Sequence, residues 1–142
     1  MKLLQFGILF ACITAGQLPG AEPAKAPAEK AAPAKAFKNV GVDEFDKLRT
    51  DKGARVLDVR TPKEFASGHM TGAINIDINA PDFQQKVSAL EKDKTYLVHC
   101  AAGVRSARAC GQMSRLHFQN LYNLEGGFKA WEKAGKPVEK NN

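Results

Sequence analysis

Thr95-Tyr96-Leu97-Val98-His99-Cys100-Ala101-Ala102-Gly103-Val104-Arg105-Ser106 is the stretch on which the reading of this chain turns. Thr95 to His99 is a short apolar run of strand character that leads directly into Cys100. The small residues Ala101, Ala102 and Gly103 predict a tight loop as far as Arg105, followed by a helix carrying Ala107, Cys110, Met113 and Leu116 on one stripe. A strand that enters a helix through such a loop can aim several backbone N–H groups at one point, and the helix adds the positive end of its dipole. Arg105 contributes a full charge. Cys100, at the centre, is therefore expected to be a low-pKa thiol. The same cradle suits an anionic substrate or an anionic product left on the sulfur, with Ala101, Ala102, Gly103, Val104 and Arg105 as binding residues.

Strand and helix signals alternate on both sides of this stretch. Val40 to Thr50 places Phe45 and Leu48 at helical spacing, with Asp43 and Glu44 early, where the helix dipole favours acid. Arg55 to Val59 reads as a strand. Thr61-Pro62-Lys63-Glu64 is a helix start, with a Thr cap, Pro at the first position and Glu three residues after the cap. The alternation of Ile74, Ile76 and Ile78 predicts a strand over Ala73 to Ile78, and Phe83, Val87 and Leu90 predict a helix within Pro81 to Glu91. Leu121 to Leu124 is a last strand, broken by Gly126-Gly127, and Phe128 to Ala134 a closing helix ended by Gly135 before Pro137. This order predicts an α/β domain, helices on both faces of a mainly parallel sheet, with ligands at the carboxyl ends of the strands. Cys100 lies at such an end.

The first 36 residues read differently. Met1-Lys2 and the apolar run Leu3 to Ile13 have the length of a signal-peptide core and are too short to span a bilayer. A short membrane anchor, a buried helix, or lipidation at Cys12 are the alternatives, although Phe10 fits a lipoprotein site poorly. Residues 21–36 repeat Ala, Pro, Lys and Glu, which blocks helix and offers nothing large to bury, so they are expected to form a disordered linker. The expected organisation is a signal peptide over 1–20, this linker, and a folded domain over 37–138. Export, to the bacterial periplasm, is the corresponding expectation, with a tether through the N-terminus as the alternative. The net charge of +6 is spread along the chain without a dense run, which argues against a nucleic-acid partner and suits small anionic substrates.

Of three cysteines, Cys12 falls in the leader, leaving Cys100 and Cys110, too few for a disulfide scaffold. Cys110, on the apolar stripe, reads as core. His99 precedes the nucleophile on the opposite face of its strand and reads as structural, as does His69; His117 reads as surface. No metal-ligand spacing or phosphate-loop signature is present, and no cofactor is expected.

Three motifs are similar to those of the rhodanese family of sulfurtransferases. Cys100-Ala101-Ala102-Gly103-Val104-Arg105-Ser106 resembles its active-site loop. Leu57-Asp58-Val59-Arg60, Glu64-Phe65 and Gly68 to Ile76 resemble its upstream signature, and Leu124 to Trp131 its closing signature. The similarity runs from about Phe37 to Pro137. It implies a single-domain, three-layer α/β/α fold and sulfane-sulfur transfer through a persulfide on Cys100. The implied donor is thiosulfate or a persulfide, and the implied acceptor cyanide or a thiol. Arg105 would orient the donor, Asp58 would hold the active loop by a charged hydrogen bond, and Arg60 would either pair with an acid or attract anions. A monomer is expected. The other readings are a sulfur carrier or sensor without turnover, and a phosphatase or arsenate reductase on the same scaffold. Phosphatases of this fold carry one more residue between Cys and Arg than the six counted from Cys100 to Arg105 inclusive. At His117 the family pattern commonly has Gly, which leaves the end of that helix open to question.

Overall fold

A computed structural model describes residues 37–141, so the leader and linker readings lie outside the described residues. Five strands form one parallel sheet in the order β1 (Lys38–Val40), β6 (Asn120–Leu124), β5 (Thr95–His99), β2 (Ala54–Asp58) and β4 (Ile74–Asn75). β3 (His69–Met70) and β7 (Val138–Glu139) pair antiparallel in a separate two-stranded ribbon. The helices are α1 (Val42–Arg49), α2 (Pro62–Ser67), α3 (Phe83–Ser88), α4 (Val104–Arg115) and α5 (Gly127–Lys133).

Alternation along the strands sends side chains to two cores, because successive residues face opposite sides of a sheet. Leu57, Tyr96, Val98 and Leu121 pack with Phe83 and Val87 of α3 and with Ala109, Cys110 and Met113 of α4. Val40, Val56, Leu97 and Leu124 pack on the other side with Phe45 of α1 and with Phe128 and Trp131 of α5. The expected three layers around a parallel sheet are therefore present. Each layer must be covered because such strands are buried on both faces.

Local chemistry accounts for the elements. Thr61 and Glu64 form a reciprocal capping box at the start of α2, with Pro62 in its first turn. The strand expected over Ala73 to Ile78 is confined to Ile74–Asn75. Ile74 is 43% exposed at the sheet edge, while Ile76 and Ile78, past the end of the strand, are buried in the core with their N–H groups still donating to Asp58 O (3.0 Å) and Val59 O (3.2 Å). α4 starts at Val104, so the loop after Cys100 is shorter than expected and Arg105 belongs to the helix. α4 ends in a Schellman motif: Phe118 N–H donates to Met113 O (3.3 Å) and His117 N–H to Ser114 O (3.0 Å), with His117 at φ 67°. The helix thus terminates normally with His in the position usually taken by Gly.

Candidate active site

The loop after β5 is held from outside by the first turn of α5. Phe128 N–H donates to Cys100 O at 2.7 Å and Lys129 N–H to Ala101 O at 3.1 Å. With these carbonyls engaged outward, loop N–H groups are left to face inward. The close approach requires Gly127: a Cβ there, at φ +58°, would stand 2.5 Å from Cys100 O and 2.7 Å from Ala102 N. Gly103 is comparably confined, at φ +97° with Leu124 O only 3.0 Å from where its Cβ would lie.

Cys100 sits at the floor of this cradle, 1% exposed. Its Sγ accepts from Gly103 N–H at 3.1 Å and lies 3.4 Å from Ser106 Oγ. Burial pushes the thiol pKa up, but the Ser106 hydroxyl and the backbone groups of Ser106, Ala102 and Gly103 outweigh it, and the net shift is downward. Cys110, packed in the apolar core, goes the other way, pushed up to about 12 by burial. The two cysteines are thus separated chemically, although both belong to the same core cluster.

Arg105, half-buried, does not stand free. Its Nη1 and Nη2 donate to Glu64 Oε2 (3.0 Å) and Oε1 (2.7 Å), a two-pronged pair linking α4 to α2. Arg105 and, against the cost of burial, Thr61 hold the Glu64 carboxyl down at about 2. The side chain of Val104 is exposed at the rim, so only its backbone can contribute to the cradle.

Of the two supporting residues, Asp58 differs from expectation and Arg60 takes one of its two expected roles. Asp58, fully buried, does not bind the active loop. It accepts from the backbone N–H of Arg60 (3.0 Å) and from its guanidinium (Nε 3.0 Å, Nη2 2.6 Å). The reason is geometric, since Asp58 faces the α5 side of the sheet and its near neighbour Arg60 folds back over it. Arg60 is 4% exposed, also donates to Gly68 O, and lies over the Phe128 ring, which makes it a structural partner and removes it from the anion-attracting set. His99 is buried beside this pair, with Nε2 3.6 Å from Asp58 Oδ2 and without a hydrogen bond. Desolvation lowers its pKa to about 4, so the ring is neutral at pH 7. His69 is a structural residue, stacked on Phe65 and hydrogen-bonded to Phe65 O.

Sequence reasoning missed the pairing of Glu64 with Arg105 and the polar group behind the sulfur, Ser106, Asn123 and Asn39. A signal existed for Asn123: a buried Asn in a strand interior needs partners. Among the described residues, no group of three or more His, Cys, Asp or Glu is placed to hold a metal ion, and no helix is long and apolar enough to cross a membrane.

Comparison with known proteins bears on this geometry. The model of the rhodanese-like domain matches residues 41–134. Over 97 residues, 61% of this chain and 81% of the relative, the sequence is 36% identical to the chloroplastic thiosulfate sulfurtransferase 16 of Arabidopsis thaliana. It is 35% identical over 104 residues, 72% of this chain and 91% of the relative, to the thiosulfate sulfurtransferase GlpE of Pseudomonas putida. A rhodanese-related protein from Thermoplasma volcanium superposes with a TM-score of 0.64 at 35% identity, covering 72% of this chain and 97% of the other. With the family model matched over residues 41–134 and this extent of similarity to its members, the chain belongs to the rhodanese-like domain family.

Proposed function

We propose that the protein is a sulfurtransferase that moves sulfane sulfur through a persulfide on Cys100. The observation that carries this reading is the cradle itself, with a depressed-pKa thiol, Gly103 N–H at 3.1 Å and Arg105 in the first turn of the helix that follows the loop. The names of the relatives support sulfur rather than phosphorus chemistry.

In the first step the Cys100 thiolate attacks the outer sulfur of thiosulfate or of a persulfide. A Cys100–sulfur bond forms, the donor's S–S bond breaks, and sulfite or the donor thiolate leaves with the electron pair. The loop N–H groups and Arg105 stabilise the anionic outer sulfur of the enzyme persulfide. In the second step cyanide or a thiolate attacks that outer sulfur, and Cys100 departs as the thiolate it was. Neither step requires a cofactor. The protein works as a monomer outside the cytoplasm, reached through the leader of residues 1–20; retention of that leader in a cell fraction enriched in membranes would point to the tethered form instead.

The test is mass spectrometry of the full-length protein after incubation with thiosulfate. Wild type gains the mass of one sulfur atom and loses it on addition of cyanide or a thiol; Cys100→Ser gains nothing. An equal adduct on both proteins would sink the mechanism. A single discharge without repeated turnover identifies a carrier or sensor, and hydrolysis of phosphate esters faster than sulfur transfer identifies a phosphatase.

A further inference from the structure

Behind Cys100 the polar side chains form a chain that has a direction. Ser106 Oγ, fully buried, lies 2.6 Å from Asn123 Oδ1, 3.1 Å from Gly103 O and 3.4 Å from Cys100 Sγ. Asn123, 4% exposed, donates through Nδ2 to Asn39 Oδ1 at 3.0 Å. Asn39 stands opposite Asn123 in the β1–β6 register and is exposed to solvent.

A hydroxyl has one proton to give. Beside a neutral thiol Ser106 gives it to Asn123, the shortest of its contacts, and offers the sulfur lone pairs, which suits an S–H that needs an acceptor; the donation to sulfur that helps lower the thiol pKa belongs to the anionic state. An anionic sulfur needs the proton instead. Side-chain amide O and N are interchangeable in shape, so reversing both amides keeps every heavy atom in place. Asn39 then donates to Asn123, Asn123 donates to Ser106, and the Ser106 proton turns to the sulfur. Gly103 O remains satisfied by Ala107 N–H at 3.1 Å, and the exposed amide of Asn39 completes its bonding with water in either direction. No buried group in the chain is orphaned by the reversal, which removes the usual penalty against it.

We propose that Ser106, Asn123 and Asn39 form a reversible hydrogen-bond chain, directed away from Cys100 when its sulfur is neutral and toward it when the sulfur is anionic. Asn39 is its solvent-facing end and a positioning residue for the reactive thiol. The inference rests on Cys100 being the reactive thiol of the proposed function. Around the sulfur the titratable and charged groups are Arg105 and Cys110 on α4 and His99 on β5; near Asn39 they are Lys38, Glu44 and Glu125. None of them is part of the chain.

The test reads the rate of Cys100 alkylation by iodoacetamide against pH, scored on the Cys100 peptide of the full-length protein. Asn39→Asp can only accept, so it fixes the chain in the outward direction. The midpoint of thiolate formation should rise by about one pH unit, the equivalent of a lost hydrogen bond to the anion. The rise should survive high salt, which screens an exposed charge but does not change which atom donates. In a Ser106→Ala background the Asn39→Asp effect should vanish; Asn123→Leu, which cuts the chain one link earlier, is the second background should Ser106→Ala fold poorly. Absence of a shift in Asn39→Asp, its loss in salt, or its persistence in both backgrounds overturns the proposal. Alkylation does not require sulfur transfer. A protein that shows this linkage but takes no sulfur from thiosulfate would overturn the proposed function and leave the chain standing.

Discussion

Glu64 and Arg105, forty-one positions apart, meet through both carboxylate oxygens and both terminal guanidinium nitrogens, at 2.7 and 3.0 Å. The same Glu64 also caps α2 through Thr61. One carboxylate thus fixes a helix start and the orientation of the arginine beside the reactive loop, while cancelling much of that arginine's charge. Glu64→Gln keeps an acceptor for Arg105 and removes the negative charge next to the cradle. The KM for thiosulfate should fall about fivefold at low ionic strength, with a smaller change in salt. The pair is partly exposed, so screening limits the accompanying loss of stability to about 1 kcal/mol or less. Steady-state kinetics at two salt concentrations check the first outcome and denaturant unfolding the second.

Acid should destabilise the domain in two separable windows. His99 has a folded pKa of about 4 against 6.5 unfolded, so the fold favours its neutral form. That contribution is complete above 6.5 and is lost as pH falls toward 4, on the order of 3 kcal/mol in all. Glu64, held at about 2 against 4.5, contributes above 4.5 and loses its share as pH falls toward 2. Unfolding free energy measured from pH 7 to 3 should slope downward in the upper window for wild type and flatten there in His99→Phe. Equal slopes for the two proteins would contradict the assignment, whatever their baseline stabilities.

Gly127→Ala should injure activity more than folding. Its Cβ would meet the Cys100 carbonyl, and α5 and the loop would have to separate. Strain at a positive φ with a backbone clash costs about 2–3 kcal/mol. Sulfur transfer, which depends on the placement of loop N–H groups, should fall at least about a hundredfold. A variant that retains full turnover would show that the α5 contact does not shape the cradle.

His117→Gly should stabilise the protein. A non-glycine residue in the left-handed region costs about 1 kcal/mol, and the side chain of His117 is exposed and makes no hydrogen bond that the change would forfeit. A rise of a few degrees in Tm, with kcat/KM unchanged, is the expected calorimetric result.

What could be read from sequence followed locality. The box at Thr61 and Glu64, the strand at Thr95 to His99 and the glycine-bounded α5 depend on neighbours a few positions away, and each is where periodicity and capping rules place it. β1 was not foreseen, because Lys38-Asn39-Val40 carries no pattern until β6 lies beside it. The ribbon of β3 and β7 pairs His69 with Glu139 across the whole domain and has the same cause. The strand expected through Ile78 failed for a different reason, as burial of Ile76 and Ile78 is equally well met past the end of the strand. In the site, the nucleophile and its loop were legible from one continuous stretch. The partner of Asp58 could not be read, since a carboxylate at a strand end has several donors within reach and only the fold of Arg60 over it selects one. The partners of Arg105 and Ser106 come from α2 and β6, and no spacing within the loop encodes them.

The 1% exposure of Cys100 has a consequence for timing. In the resting protein the sulfur lies below the rim, where bulky oxidants and disulfides reach it poorly. Under the proposed chemistry, loading adds a second sulfur about 2 Å further out, so the atom to be delivered stands higher in the cradle than the atom that received it. The floor thus works as a depth gauge. It shelters the thiolate while empty, admits slender donors, and presents its cargo to larger acceptors only after the charge has been taken on.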